Sequence, residues 1–126
     1  MTGRILGLGV DVVDIPRFRQ VLERRPGMAE RLFSVGELGY AASLANPAPS
    51  LAGRFAVKEA VMKALGVGLG AVDWTDISVH RLDGGAPELH VGGRAAGLAE
   101  RKGVGSWLVS ISHTDTIASA TVLALS

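Results

Sequence analysis

The stretch SWLVSISHTDTIASATVLAL, residues 106–125, decides the fold. SWLVSISH and TIASATVLAL each carry the β-branched enrichment of a strand, with only a tight turn at Thr114–Asp115 between them. A link that short forces the pair to run antiparallel, because a parallel pair needs a long crossover. Upstream, DISVHRL (76–82) and PELHV (87–91) are two further short strands about a turn at Asp83-Gly84-Gly85. Between the two pairs, RAAGLAERKG (94–103) reads as a short helix closed by Gly103. Strands gathered late in the chain, with short links, predict α+β: a small antiparallel sheet packed with a long central helix and shorter helices.

The earlier half supplies the helices and one strand. RILGLGVDVV (4–13) is a strand whose period-2 alternation puts Gly7, Gly9 and Asp11 on one face and Leu6, Leu8, Val10 and Val12 on the other. The glycines are expected to leave open space beside Asp11. Asp14 is placed to cap the next helix, with Pro16 in its first turn, and Pro26-Gly27 ends it. MAERLF is a short helical piece. SVGELGYAASL opens with Ser34 and has Glu37 three residues on, a capping-box spacing, although Gly36 and Gly39 predict a loose helix. After ANPAPS breaks the chain, Ser50 is the expected cap of a helix over 51–65.

That helix, within RFAVKEAVMKALGVGLG (54–70), carries Arg54, Lys58, Glu59 and Lys63 in an otherwise apolar run. Helical spacing puts Arg54 and Lys58 on one stripe and Glu59 and Lys63 on another. A helix apolar almost all round is buried, and a carboxylate there needs a partner. Two readings of Glu59 are open. It pairs with Lys63 at i,i+4, or it meets Asp11 across the core edge and the two hold a divalent cation, Mg²⁺ being content with one or two carboxylates plus phosphate and water. On the second reading Arg54 grips phosphate oxygens bidentately and Lys58 or Lys63 serve as point charges. Gly66 fits a helix C-cap, while Gly68 and Gly70 exceed what a cap requires and let backbone lie close to a ligand. GVGLG is neither a P-loop nor a dinucleotide fingerprint. His113 stands at a strand end beside Ser112 and Thr114. No Ser-His-Asp grouping follows from spacing.

The bulk numbers bound the rest. A chain of 126 residues suits one domain, 1–126, and no Cys is present, which removes disulfides, thiolate metal sites and cysteine nucleophiles. No signal peptide is read at the N-terminus and no window approaches a bilayer span, so a cytoplasmic protein is expected. Net charge is only +1, but five arginines (17, 19, 24, 25, 31) crowd residues 17–31 against Glu23 and Glu30. That basic surface suits an acidic partner.

These segments together resemble one family, the holo-acyl-carrier-protein synthases, the short class of 4′-phosphopantetheinyl transferases. GLGVDVVDIPR (7–17) is similar to the family's G-x-G-x-D-x-x-x-I-x-R start, and LFSVGELGY (32–40) to its F-[ST]-x-x-E-x-x-Y segment. LAGRFAVKEAVMKALGVGLG (51–70) carries the central R-[FWY]-[AS]-x-K-E-A-x-x-K-A-x-G-x-G signature residue for residue. WTDISV and VSISHTDTIASATVLA fall where its later strands lie. The likeness spans the chain; Leu8 for the commoner Ile and Pro16 are local departures.

The resemblance implies the 4′-phosphopantetheinyl transferase fold and transfer of the 4′-phosphopantetheine arm of coenzyme A to a serine of apo-acyl carrier protein. Adenosine 3′,5′-bisphosphate is the other product, and the setting is fatty-acid biosynthesis. It implies that Asp11 and Glu59 bind Mg²⁺ and, with Lys63, form the catalytic group. It places Arg54, Lys58, Lys63, Gly66, Gly68, Gly70, His113 and Thr114 near the coenzyme. It also implies a homotrimer with active sites between subunits, and no nucleic-acid or membrane partner. Carrier proteins are acidic, which makes Arg17, Arg24 and Arg25 the expected docking contacts. The alternatives are a non-catalytic coenzyme A or nucleotide-binding module, for which both carboxylates would be superfluous, and a purely structural oligomer, which leaves Glu59 unexplained.

Overall fold

In the computed structural model, which describes residues 3–81 and 84–126, the chain runs β1 (Ile5–Asp14), α1 (Ile15–Arg24), α2 (Met28–Leu32), α3 (Val35–Ala42) and α4 (Ala48–Leu65). A 3₁₀ turn (Trp74–Asp76) leads to β2 (Ile77–Arg81), β3 (Pro87–Val91), α5 (Gly93–Arg101), β4 (Ser106–His113) and β5 (Ile117–Leu125). Strands β1, β5 and β4 form one antiparallel sheet in that order, and β2 and β3 form a second antiparallel pair. The architecture is therefore α+β, with small antiparallel sheets and α4 as the long central helix. The expected Asp83-Gly84-Gly85 turn includes Asp83, which lies outside the described residues.

The β4–β5 hairpin closes where the sequence places it. Thr114 N–H donates to the Ile117 carbonyl at 2.8 Å, and Thr114 Oγ1 accepts from the N–H groups of Thr116 and Ile117. Strand β5 buries Ala118, Ala120, Val122 and Ala124 on one face, the period-2 signature of a half-covered sheet.

Helix α4 lies across that face. The approach is close because the facing residues are small. A Cβ at Gly7 would run into the carbonyl oxygen of Ala64, and one at Gly9 into that of Ala60. The expected open space beside Asp11 is thus absent: backbone of α4 fills it. On its other sides α4 meets Phe18 of α1 and Ile77 and Val79 of β2 within the same core, which accounts for apolar residues around nearly its whole circumference.

Two helix starts are instructive. Asp14 caps α1, its carboxylate accepting from Arg17 N–H at 2.9 Å. Helix α4, however, begins at Ala48, not at 51, with Pro47 in the cap position. Pro49 falls in the first turn, where its missing N–H costs nothing. Ser50 is therefore no cap; its hydroxyl accepts instead from Arg54 Nη1 at 2.6 Å. Helix α3 forms despite its glycines, since both halves of the Ser34/Glu37 capping box are made.

Candidate active site

Asp11 sits on β1 opposite Ala120 of β5, with its side chain on the α4 side of the sheet edge. Lys63, in the last turn of α4, reaches back to it, Nζ lying 3.1 Å from Asp11 Oδ1 and donating to the Val10 carbonyl at 2.8 Å. Glu59 is one turn earlier on the same stripe. The i,i+4 reading that paired Glu59 with Lys63 gives way, because Lys63 is engaged by β1. Burial pushes the Glu59 carboxyl above its ordinary value, nearby Asp11 pushes it further, and Lys63 only partly offsets them.

Asp11 and Glu59 open into a cavity of about 700 Å³. Arg17, Arg25 and Arg31 stand on its rim, while Phe18, Phe55 and Trp74 line its apolar wall. These rings stack in sequence, with centroids 5.0 Å apart for Phe18–Phe55 and 5.2 Å for Phe55–Trp74. A cavity that joins carboxylates, an apolar wall and exposed arginines can take a substrate with both apolar and charged parts. Arg24 does not line this cavity.

A second cavity, of about 560 Å³, shares no lining residue with the first. It holds Arg54, Tyr40, Ser50, Arg81 and His113. Arg54 is 4% exposed, lies over the Tyr40 ring at 4.8 Å, and keeps its Nε buried without a hydrogen-bond partner among the described residues. Burial pulls its guanidinium below the ordinary value, with Glu37 opposing. An anion entering here finds an unspent donor. His113 Nδ1 lies 3.1 Å from the Thr114 carbonyl, and Thr114 itself is occupied by the hairpin turn. Within one chain, then, Arg54 and His113 are not brought to Asp11 and Glu59.

Lys58 corrects its expected role as a point charge for phosphate. It is fully buried, its ammonium 2.8 Å from Glu37 Oε1 and donating to the carbonyls of Trp74 and Ile77. Glu37 also accepts from the N–H groups of Ser34 and Val79. Every donor of Lys58 is spent inside the core, so none faces a ligand.

At the end of α4, Gly66 (φ 70°) and Gly70 (φ 89°) are left-handed, as a C-cap and a turn require. A Cβ at Gly68 or Gly70 would meet nothing within 4 Å, so this backbone is open to solvent.

The sequence reading counted Arg31 in the basic run without placing it at the cavity, and it did not single out Trp74, Tyr40, Arg81 or the Lys58 pairing of Glu37. Arg31 was visible within the arginine run, and Tyr40 and Glu37 are fixed letters of the LFSVGELGY segment. Nothing local marks Trp74 or Arg81.

Among the described residues no group of three or more His, Asp or Glu is placed to hold a metal ion. A cation at Asp11 and Glu59 would have two protein carboxylates and complete its shell from water and substrate oxygens, a donor set that suits Mg²⁺. The upward push of Asp11 on Glu59 is the repulsion a divalent cation relieves.

Comparison with known proteins gives the family. Residues 7–120 match the family model described as the 4′-phosphopantetheinyl transferase superfamily. A holo-[acyl-carrier-protein] synthase of Streptomyces avermitilis is 50% identical over 95% of this chain and 97% of its own. The crystal structure of holo-[acyl-carrier-protein] synthase from Neisseria meningitidis superposes with a TM-score of 0.87 at 31% identity, covering 96% of this chain and 98% of that one. A coenzyme A complex of the enzyme from Chronobacterium ammoniagenes superposes with a TM-score of 0.82 at 30% identity, covering 95% and 97%. The chain belongs to the 4′-phosphopantetheinyl transferase superfamily and, within it, to the holo-[acyl-carrier-protein] synthases.

Proposed function

We propose that residues 1–126 act as one transferase domain that moves the 4′-phosphopantetheine arm of coenzyme A to a serine of apo-acyl carrier protein in the cytoplasm, for fatty-acid synthesis. The observation that carries this is the Asp11–Glu59 pair, flanked by Lys63 and opening into a cavity with an apolar wall and exposed arginines. The serine oxygen attacks the phosphorus that bears the pantetheine arm. A new P–O bond forms as the pyrophosphate bridge breaks, and adenosine 3′,5′-bisphosphate leaves with the bridging oxygen. Mg²⁺, held by Asp11 and Glu59, supplies charge neutralisation on the pyrophosphate when bound. Lys63 holds Asp11 in place and adds positive charge beside it. The serine proton passes to Glu59 or to solvent beside it. The open backbone at Gly66, Gly68 and Gly70 receives coenzyme phosphates, and Arg17, Arg24 and Arg25 receive the acidic carrier.

The assembly we infer is a homotrimer. Leu6, Leu8, Val10 and Val12 form an apolar row on the face of β1 turned away from α4, between 36% and 60% exposed, and Leu108 of β4 is 56% exposed. An exposed apolar row on one strand, continued across the sheet through Leu123 to Leu108, suits a protein interface. Subunits meeting there can bring the Arg54–His113 cavity of one to the Asp11–Glu59 pair of its neighbour, which a lone chain keeps apart. Leu8→Glu is expected to yield monomers by sedimentation and to abolish transfer; retained activity in a monomer counts against the shared site.

The deciding experiment is incubation with coenzyme A, Mg²⁺ and apo-carrier protein, followed by intact mass. Gain of one phosphopantetheine group by the carrier supports the transferase. Tight coenzyme binding with no gain supports the non-catalytic module instead. Arg24→Glu should raise the KM for carrier while leaving that for coenzyme A nearly unchanged, and equal effects on both would refute the docking role.

A further inference from the structure

The tip of the glycine loop after α4 is held by a side chain from another helix. Arg94, the second residue of α5, donates from Nη1 to the Gly70 carbonyl at 3.1 Å and from Nη2 to Asp73 Oδ1 at 3.0 Å. The two ends of the loop are fixed: the N–H groups of Gly66 and Val67 donate to the Lys63 and Met62 carbonyls at 3.0 Å, and Val72 is 7% exposed within the core. The tip between them has only the Ala71 N–H to Gly68 carbonyl bond at 3.3 Å, and Leu69 is 76% exposed. Gly68 and Gly70 have no packing neighbour within 4 Å of a built Cβ, so without a restraint the tip would sample many conformations.

Arg94 itself stands on a fixed base. The Asp76 carboxylate accepts from the N–H groups of Asp73 and Ala95, and the Asp76 carbonyl accepts from Gly92 N–H at 2.7 Å. At Gly93 (φ 52°) a Cβ would collide with the Asp76 carboxylate, so the first turn of α5 closes tightly on the 3₁₀ turn. A planar guanidinium anchored this way spans two points of the loop from two separate nitrogens in a rigid fork, a geometry that the single nitrogen of an ammonium does not reproduce.

We propose that Arg94 is a positioning residue for coenzyme A: it holds loop 66–73 in the conformation whose open backbone receives the coenzyme's phosphates. This rests on the reading of that loop given above. Arg94 touches neither the carboxylate pair nor the arginine rim, so its loss acts on coenzyme binding through the population of competent loop.

The test compares wild type, Arg94→Gln and Arg94→Lys by steady-state transfer and by calorimetric titration with coenzyme A. The side chain is half exposed, so the substitutions leave the core untouched. Arg94→Gln is expected to raise the KM and Kd for coenzyme A about three- to tenfold, with kcat and the KM for carrier within about twofold. Arg94→Lys, which keeps one of the two bonds, should fall between. An unchanged Kd for coenzyme A in Arg94→Gln, or an equal rise in the KM of both substrates, overturns the proposal. A wild type that binds coenzyme A without transferring defeats the transferase reading alone, since the Kd ratio still decides the role of Arg94; a wild type that does not bind coenzyme A defeats both.

Discussion

Lys58 and Glu59 are neighbours on one helix and have opposite fates. Lys58 points into the core and has every need met: a carboxylate, two carbonyls and the face of Phe33 at 5.5 Å. Glu59, a hundred degrees round the helix, points to the sheet edge, where its nearest charged company includes another carboxylate. A buried charge kept for architecture is surrounded by complements; one kept for chemistry is left partly unsatisfied, so that something else can complete it. In a chain where both residues look like anomalies in an apolar helix, the difference between them sets the scaffold apart from the proposed site.

The sharpest way to break this comparison is to neutralise the unsatisfied side. Asp11→Asn and Glu59→Gln each preserve shape and remove one negative charge. Transfer to carrier should fall by about 10²–10³-fold or more in either, since charge stabilisation at the reacting phosphate is the largest single contribution expected. Folding, followed by circular dichroism, should be unaffected. Activity near wild type in either variant would remove the carboxylate pair from the mechanism.

Neutralising the satisfied side should do the reverse, leaving chemistry intact in whatever fraction folds. Lys58→Met strands the Glu37 carboxylate at 1% exposure with only the two backbone donors of Ser34 and Val79. Chemical denaturation should show a loss of about 3–5 kcal/mol. Adding Glu37→Gln to Lys58→Met should recover much of it, because the penalty lies in the unpaired charge and not in the missing bond. A double variant as unstable as the single one would show that the pair is worth more than its mutual compensation.

How much of this was legible in the sequence divides along the same line. Period-2 alternation in 117–125, the tight link after His113 and the Ser34/Glu37 spacing are local signals, and each formed as read. What failed was information held by a partner element. The face carrying Gly7 and Gly9 looked like open space because the sequence cannot show that α4 backbone lies against it. Lys58 looked available because its carboxylate partner lies 21 residues away on another helix. Pro49 disguised the true start of α4, since proline reads as a breaker and also fits a first turn. The close approach has a measurable cost: Gly9→Ala should lose about 1–3 kcal/mol by overpacking against Ala60, whereas Gly68→Ala, with nothing within 4 Å, should leave stability nearly unchanged.

The smallest effect tests the comparison most directly, because it asks whether the site is strained before any ligand arrives. The Glu59 carboxyl is held above its ordinary value of 4.5, first by burial and then by Asp11. The folded state therefore binds its proton more tightly than the unfolded state does. The stability this contributes is fully present below about pH 4.5 and is lost as pH rises through the raised folded value, so at neutral pH the ionised group opposes folding. Glu59→Gln carries no charge at any pH. Thermal melts should place it above wild type by on the order of 1–3 °C near pH 8, with the gap closing toward about pH 4. Added Mg²⁺ should narrow the gap at pH 8 by raising wild type more than the variant. The inactive protein would then be the more stable one. A Glu59→Gln variant that melts at or below wild type near pH 8 would mean that Lys63 already balances the pair, and that Glu59 is as well satisfied as Lys58.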